Sequence, residues 1–277
     1  MPRITTNDGV RLHYYDEGEG RPVLLVSGYG APADDWALQW APLRAAGYRV
    51  ISLDRRWHGS SDRPAWGQRM SRHGKDIDDL LTALGLRDVL AVGQSMGANS
   101  IWAYASLAGT ARLAGIVTVD QTPSMVNTAD WPFGFYGLTE ENLGTFFSSP
   151  GAFATGRGRA WPDPAAVDTA IREAGGRGAE SLITPDTRPL LLDHSRQDWR
   201  DVVARAEVPV LITAGADSQF WPAEHAAATA ALNPRATSAV FADAGHSCHL
   251  DRPEAVADRI VEFAGTLGAP SRRTGPR

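Results

Sequence analysis

One stretch constrains this chain more than any other: Ala91-Val92-Gly93-Gln94-Ser95-Met96-Gly97-Ala98. The apolar run Val89-Leu90-Ala91-Val92 enters it, and a helix-forming run over 98–107 leaves it. A strand that passes directly into a helix must turn a tight, strained corner. Gly93 and Gly97 remove the Cβ atoms that would collide across that corner. Ser95 is then lifted to the tip of the strand, and the positive end of the new helix faces the same point. The Met96 backbone N–H is the expected donor to an oxygen that gains negative charge there. A glycine-rich turn with an incidental serine would have the same five letters, so the rest of the chain must decide.

The pattern around it alternates. Residues 2–15 read as a hairpin about Asn7-Asp8-Gly9. Val23-Leu24-Leu25-Val26, 48–53, the run into Ser95, Leu113–Val119, 208–214 and 237–241 read as strands, several of them continuously apolar. Helices are expected over 34–46, 71–84, 98–107, 223–232 and 252–267, with Ile77, Leu80, Leu81 and Leu84 at helical spacing in the second. Such alternation predicts a mostly parallel eight-stranded sheet with helices on both faces. The beat stops over 122–196, where aromatics, Gly/Pro breaks and helix-like pieces replace short strands. That segment is too long for a plain loop and is expected to be an inserted helical lid on a core formed by 1–121 and 197–268. Residues 269–277, rich in Arg, Gly and Pro, read as a disordered tail. The 277-residue length suits one such domain better than two equal ones.

Ligands of parallel sheets sit beyond the carboxyl ends of the strands. Tyr29, Ser95, Asp120 and Asp217 all follow strands closely and should share that edge. A serine hydroxyl needs a base, and the base needs an acid to orient it. His246, in Ala244-Gly245-His246-Ser247 after the last strand, is the preferred base, with His249 as its rival. Asp217, in Ala214-Gly215-Ala216-Asp217-Ser218, is the preferred acid, with Asp120 as the competitor because its strand lies beside that of the nucleophile. His58 reads as structural, and His13, His73, His194 and His225 as surface residues. The Tyr29 N–H, in Ser27-Gly28-Tyr29-Gly30, is the expected second oxyanion donor beside Met96.

Net charge is −5 and no basic block interrupts the body, which argues against nucleic acid. One cysteine, Cys248, excludes an internal disulfide and a thiol-rich metal cluster. No run approaches the roughly 18 apolar residues of a membrane span, and the N-terminus lacks the apolar stretch of a signal peptide. A soluble, cytoplasmic protein with a small-molecule substrate, no metal and no cofactor is expected; oligomeric state is not legible.

These motifs, with Asp54–Asp62, Asp120–Pro123 and Asp198-Trp199-Arg200, occur in order over nearly the whole chain outside the lid and tail. In them the sequence resembles the α/β-hydrolase superfamily, and most closely its cofactor-free haloperoxidase/esterase-like branch. The resemblance implies Ser95 as nucleophile, His246 as base and Asp217 as acid, in the order Ser, acid, His. Two positions depart from the pattern: Ser27-Gly28 stands where His-Gly is usual, and Trp57 replaces the first glycine of Asp-x-Arg-Gly-His-Gly. The first should reshape the loop. The second should need altered backbone geometry or point into the site. The implied activity is hydrolysis of an ester, lactone or related carbonyl, with peroxide-dependent acyl chemistry as a side activity. Trp131, Phe133, Phe135, Tyr136, Phe146, Phe147, Trp161, Phe220 and Trp221 suggest a small apolar or aromatic substrate. Carbon–carbon hydrolysis of a diketone, a small-molecule receptor and a non-hydrolytic enzyme on the same scaffold are the alternatives.

Overall fold

The computed structural model describes residues 2–148, 151–178 and 181–268. The strands are β1 (Arg3–Thr5), β2 (Arg11–Glu17), β3 (Pro22–Val26), β4 (Arg49–Leu53), β5 (Val89–Gln94), β6 (Leu113–Val119), β7 (Val210–Gly215) and β8 (Ala236–Phe241). They form one eight-stranded sheet in the order β1-β2-β4-β3-β5-β6-β7-β8. The β1–β2 hairpin and the β2–β4 pair are antiparallel, and every pair from β4 to β8 is parallel. The carboxyl ends of these six parallel strands therefore share one edge.

Side chains alternate across the pleat, and here both faces are apolar. Leu24, Val26, Ala91, Ile116 and Ile212 point to one core, shared with Ile77, Leu80 and Leu81 of α2 (Met70–Ala83) and Ile101 and Trp102 of α3 (Met96–Ala108). Val23, Leu25, Val92, Val117 and Leu211 point to the other. There they meet Trp40 and Leu43 of α1 (Ala37–Ala45) and Val256, Ile260 and Phe263 near the C-terminus. Burial on both faces is why these strands read as continuous hydrophobic runs.

The helix expected over 252–267 is α9 (Pro253–Thr266), preceded by the short, separate α8 (Cys248–Asp251). Pro253 opens α9 because it needs no acceptor for an N–H it lacks. Between β6 and β7 lie α4 (Pro164–Glu173), α5 (Arg188–Ser195) and α6 (Arg200–Arg205), with short 3-10 turns. The remaining helix, α7 (His225–Ala230), precedes β8. The expected tail, 269–277, lies outside the described residues. Among the described residues, no helix is long and apolar enough to cross a membrane.

The expectation that His13, His73, His194 and His225 lie on the surface is wrong: all four are buried. His13 bonds the Asp54 carboxylate at 2.7 Å, and Arg55 reaches His73 at 3.0 Å. A histidine carries an apolar ring with polar edges, and these rings are packed inside, those of His13 and His73 with one edge on a buried charged side chain.

Candidate active site

At the β5–α3 corner Ser95 has φ +52 and ψ −131, a conformation that L residues rarely adopt and that costs about 1–3 kcal/mol. The flanking glycines make it possible. A Cβ on Gly93 would stand 2.5 Å from the Ala98 nitrogen, and one on Gly97 would stand 2.1 Å from the Val26 oxygen. The Ser95 N–H is tied to the Val119 carbonyl at 3.0 Å, which sets Ser95 beside the end of β6.

His246 follows β8 and lies over this corner. Its N–H donates to Gln219 Oε1 (2.7 Å), and its carbonyl accepts from Gln94 Nε2 (3.0 Å). The ring is packed by Phe220 and Trp221, with centroids 4.4 and 5.2 Å away. Its Nε2 is 2.8 Å from Ser95 Oγ, and its Nδ1 is 2.7 Å from Asp120 Oδ2.

The carboxylate beside His246 is therefore Asp120, and the preference for Asp217 is corrected. Strands β5 and β6 are direct neighbours, whereas β7 is one strand further from Ser95. Asp120, at φ +48, turns its side chain inward and is completely buried. Its Oδ1 accepts from the Gly215 N–H (2.8 Å), and its Oδ2 from Ser218 Oγ (2.7 Å), Trp221 Nε1 (3.1 Å) and His246 Nδ1. Burial pushes this carboxyl up, but His225 and His246 outweigh it and hold the group at about 2. His225 Nε2 is 3.8 Å from Oδ1, too far for a hydrogen bond. Asp217 is exposed, and its backbone serves the loop, its N–H donating to Ala244 O and its carbonyl accepting from the Arg159 N–H. The rival base, His249, is likewise turned elsewhere and bonds Asp35 at 2.7 Å.

An ionised Asp120 can only accept, so His246 Nδ1 carries the proton and Nε2 presents its lone pair to the Ser95 hydroxyl. Such a chain can draw the proton from a serine that attacks a carbonyl.

The loop after β3 meets the same hydroxyl. A Cβ on Gly28 would lie 3.5 Å from Ser95 Oγ, so the backbone itself approaches. The Tyr29 N–H has no acceptor among the described residues, and the Met96 N–H, at the start of α3, has no intrahelical one. Ser27, standing where histidine is usual, is buried and ties the loop through Oγ to Pro32 O at 2.7 Å. Trp57 takes φ +65, the left-handed backbone a glycine would supply, and its indole bonds Pro64 O.

Above Ser95 is a cavity of about 440 Å³, walled in part by Tyr29, Met125, Phe135, Phe153, Trp161 and Phe220. Trp221 and Met96 also reach it. Trp131, Phe133 and Tyr136, expected to touch substrate, do not line it. Trp131 is buried with its indole N–H on Thr122 and Ser124 and stacks edge-on with Phe133. Tyr136 is half-buried, with the Arg157 guanidinium 4.5 Å from its ring centre. Aromatic composition says nothing of direction, which is why these three were misplaced. Ser218, Gln94, Gln219 and His225, which surround the Asp120–His246 pair, carry no expected role from sequence, although Gln94 and Ser218 stand inside the motifs around Ser95 and Asp217.

Comparison with known proteins agrees with this architecture. Residues 23–259 match the model of the alpha/beta hydrolase family. The chain is 30% identical to a non-heme chloroperoxidase of Streptomyces lividans over 95% of its own length and 99% of that protein. A bromoperoxidase structure from Bacillus anthracis superposes with TM-score 0.79 at 25% identity, covering 95% of this chain and 100% of the other. An esterase structure from Exiguobacterium antarcticum gives 0.81 at 23% identity, over 95% and 99%, a likeness of fold. With the strand order, the β5–α3 corner and these similarities together, the chain belongs to the alpha/beta hydrolase family and is an enzyme of the hydrolase type.

Proposed function

We propose that this enzyme is a serine hydrolase cleaving an ester, lactone or related carbonyl bond of a small apolar or aromatic substrate. The observation that carries the reading is the continuous hydrogen-bonded chain Asp120–His246–Ser95 opening into the cavity lined by Phe135, Phe153 and Phe220. Ser95 Oγ attacks the carbonyl carbon, and its proton passes to His246 Nε2. The carbonyl oxygen becomes an oxyanion held by the Tyr29 and Met96 N–H groups. The tetrahedral intermediate expels the alcohol, which takes the proton from His246. Water, deprotonated by the same imidazole, then releases the acyl group. Asp120 keeps the imidazole in the required tautomer and stabilises its cationic form. Each oxyanion donor is worth ~3 kcal/mol in the transition state.

Residues 122–196 are assigned as a cap: Met125, Phe135, Phe153, Trp161, Ile183 and Leu191 from this segment contribute to the cavity wall. The likeness to a non-heme chloroperoxidase supports a side activity in which hydrogen peroxide replaces water as acceptor of the acyl group. Turnover of a panel of phenyl esters, lactones and aryl diketones tests the reading, with Ser95→Ala as control. Multiple turnovers on esters or lactones, with loss of several orders of magnitude in Ser95→Ala, are expected. Preference for diketones would move the assignment to carbon–carbon hydrolysis, a single slow turnover would indicate a receptor, and unchanged turnover in Ser95→Ala would refute the nucleophile.

A further inference from the structure

Behind the β3 loop lies a fully buried arginine that no step above uses. Arg55 follows β4, is 1% exposed, and forms no ion pair with a carboxylate among the described residues. Its Nη2 donates to the Gly28 carbonyl at 2.6 Å and lies 3.0 Å from His58 Nε2, while Nη1 lies 3.0 Å from His73 Nδ1. A cation kept from water without a directly bonded counter-charge is costly, and packing alone would be served better by an apolar side chain.

The Gly28 carbonyl belongs to the same planar trans peptide as the Tyr29 N–H, and the two point in opposite directions. A short charge-assisted bond on the oxygen fixes the rotation of that plane. It also polarises the amide, which strengthens the N–H as a donor. His58 secures the next turn of the loop: its Nε2 accepts from the Gly30 N–H at 3.0 Å, and its Nδ1 donates to Arg56 O at 2.7 Å. Burial and the charge of Arg55 push His58 and His73 well below the ordinary imidazole range, so both remain neutral acceptors. Burial likewise lowers Arg55 to about 9, which leaves it cationic at neutral pH.

We propose that Arg55 is a positioning residue for the oxyanion pocket, holding and polarising the 28–29 peptide so that the Tyr29 N–H meets the acyl oxygen. The proposal rests on the reading of Tyr29 as an oxyanion donor. It predicts that Arg55 contributes to binding of the tetrahedral state and little to binding of the ground state.

Two ligands separate those states. Trifluoroacetophenone accepts Ser95: an Oγ–carbon bond forms, the carbonyl π pair moves to oxygen as the oxyanion, and the hydroxyl proton goes to His246 Nε2. The corresponding alcohol fills the same cavity and forms no adduct. In folded Arg55→Met, ketone affinity and kcat for phenyl acetate are expected to fall about a hundredfold, with alcohol affinity and KM within about threefold. Arg55→Lys keeps the charge with a single point donor and is expected to recover about tenfold of the loss. Circular dichroism checks folding. Where Arg55→Met does not fold, Arg55→Lys decides: about tenfold weaker ketone binding than the parent with unchanged alcohol binding supports the proposal. Ketone and alcohol affinities that change together, or ketone affinity that stays at the parent value, overturn it. Ser95→Ala separates the two failures. If it abolishes ketone binding while the Arg55 variants keep it, only the role of Arg55 falls; if it leaves ketone binding intact, the site reading and this proposal fall together.

Discussion

The ends of β6 and β7 each present an aspartate to the same edge of the sheet, and they differ in every physical respect that matters. Asp120 is buried, sits on a left-handed backbone, and receives four hydrogen bonds. Asp217 is exposed, and its peptide groups stitch together the 159 and 244 loops. The β7 loop still participates, but through Ser218 and Trp221, which hold the carboxylate of the other strand. A position just past a parallel strand is thus only permission to join a site. Side-chain direction, neighbouring donors and exclusion of water decide which carboxylate orients the imidazole.

The largest effect that could break this comparison is the loss of the buried carboxylate. Asp120→Asn is expected to lower kcat about 10⁴-fold while the fold persists, read from aryl-ester kinetics and circular dichroism. An activity near that of the parent would mean that the imidazole does not depend on β6. The double variant Asp120→Asn with Ser218→Asp moves the charge to the β7 loop, at the residue whose hydroxyl bonds the Asp120 oxygen that faces the imidazole. It should recover about tenfold of that loss, and no recovery would show that backbone position as well as charge is required.

A smaller effect isolates one donor. Ser218→Ala removes a hydrogen bond to a buried carboxylate and is expected to cost about 2 kcal/mol of stability, measured by urea unfolding. The pH dependence follows from the lowered Asp120 value. Its ordinary value is 3.8 and it is brought to about 2 in the fold. Its stabilising contribution, about 2 kcal/mol, is complete above about pH 4 and disappears as pH falls toward 2. The stability gap between the parent and Asp120→Asn should narrow over that window; a gap independent of pH would deny the carboxylate its special environment. The smallest effect is expected at the other strand end, where Asp217→Asn should alter kcat less than about twofold.

Much of the fold is legible because its causes are local and repeated. Continuous apolar runs mark strands covered on both faces, and Gly93 and Gly97 mark the corner because backbone approaches them to within 2.5 Å of where a Cβ would stand. Ser95 and His246 are legible for the same reason: each lies in a short motif at a strand end. The acid is not. Asp120 and Asp217 each follow a parallel strand within two residues, and no local pattern records which one turns inward. Arg55 and the buried histidines are hidden too, since polar residues read singly as surface, and their burial depends on partners such as Gly28, His58 and Asp54 brought by other strands. The cavity wall fails partly: Trp161, Phe220 and Trp221 line it, whereas Trp131 and Phe133 pack on each other and Tyr136 lies under Arg157.

Because the natural substrate does not enter it, the rate at which an aryl phosphonate modifies serine measures the Ser95–His246–Asp120 chain most directly. Mass spectrometry of the labelled peptide identifies the residue, and the second-order rate constant reports how strongly it is activated. Labelling at Ser95, slowed at least about a hundredfold by Asp120→Asn and unchanged by Asp217→Asn, is the expected result. Label on another residue, or a rate that collapses with Asp217→Asn and survives Asp120→Asn, would contradict it.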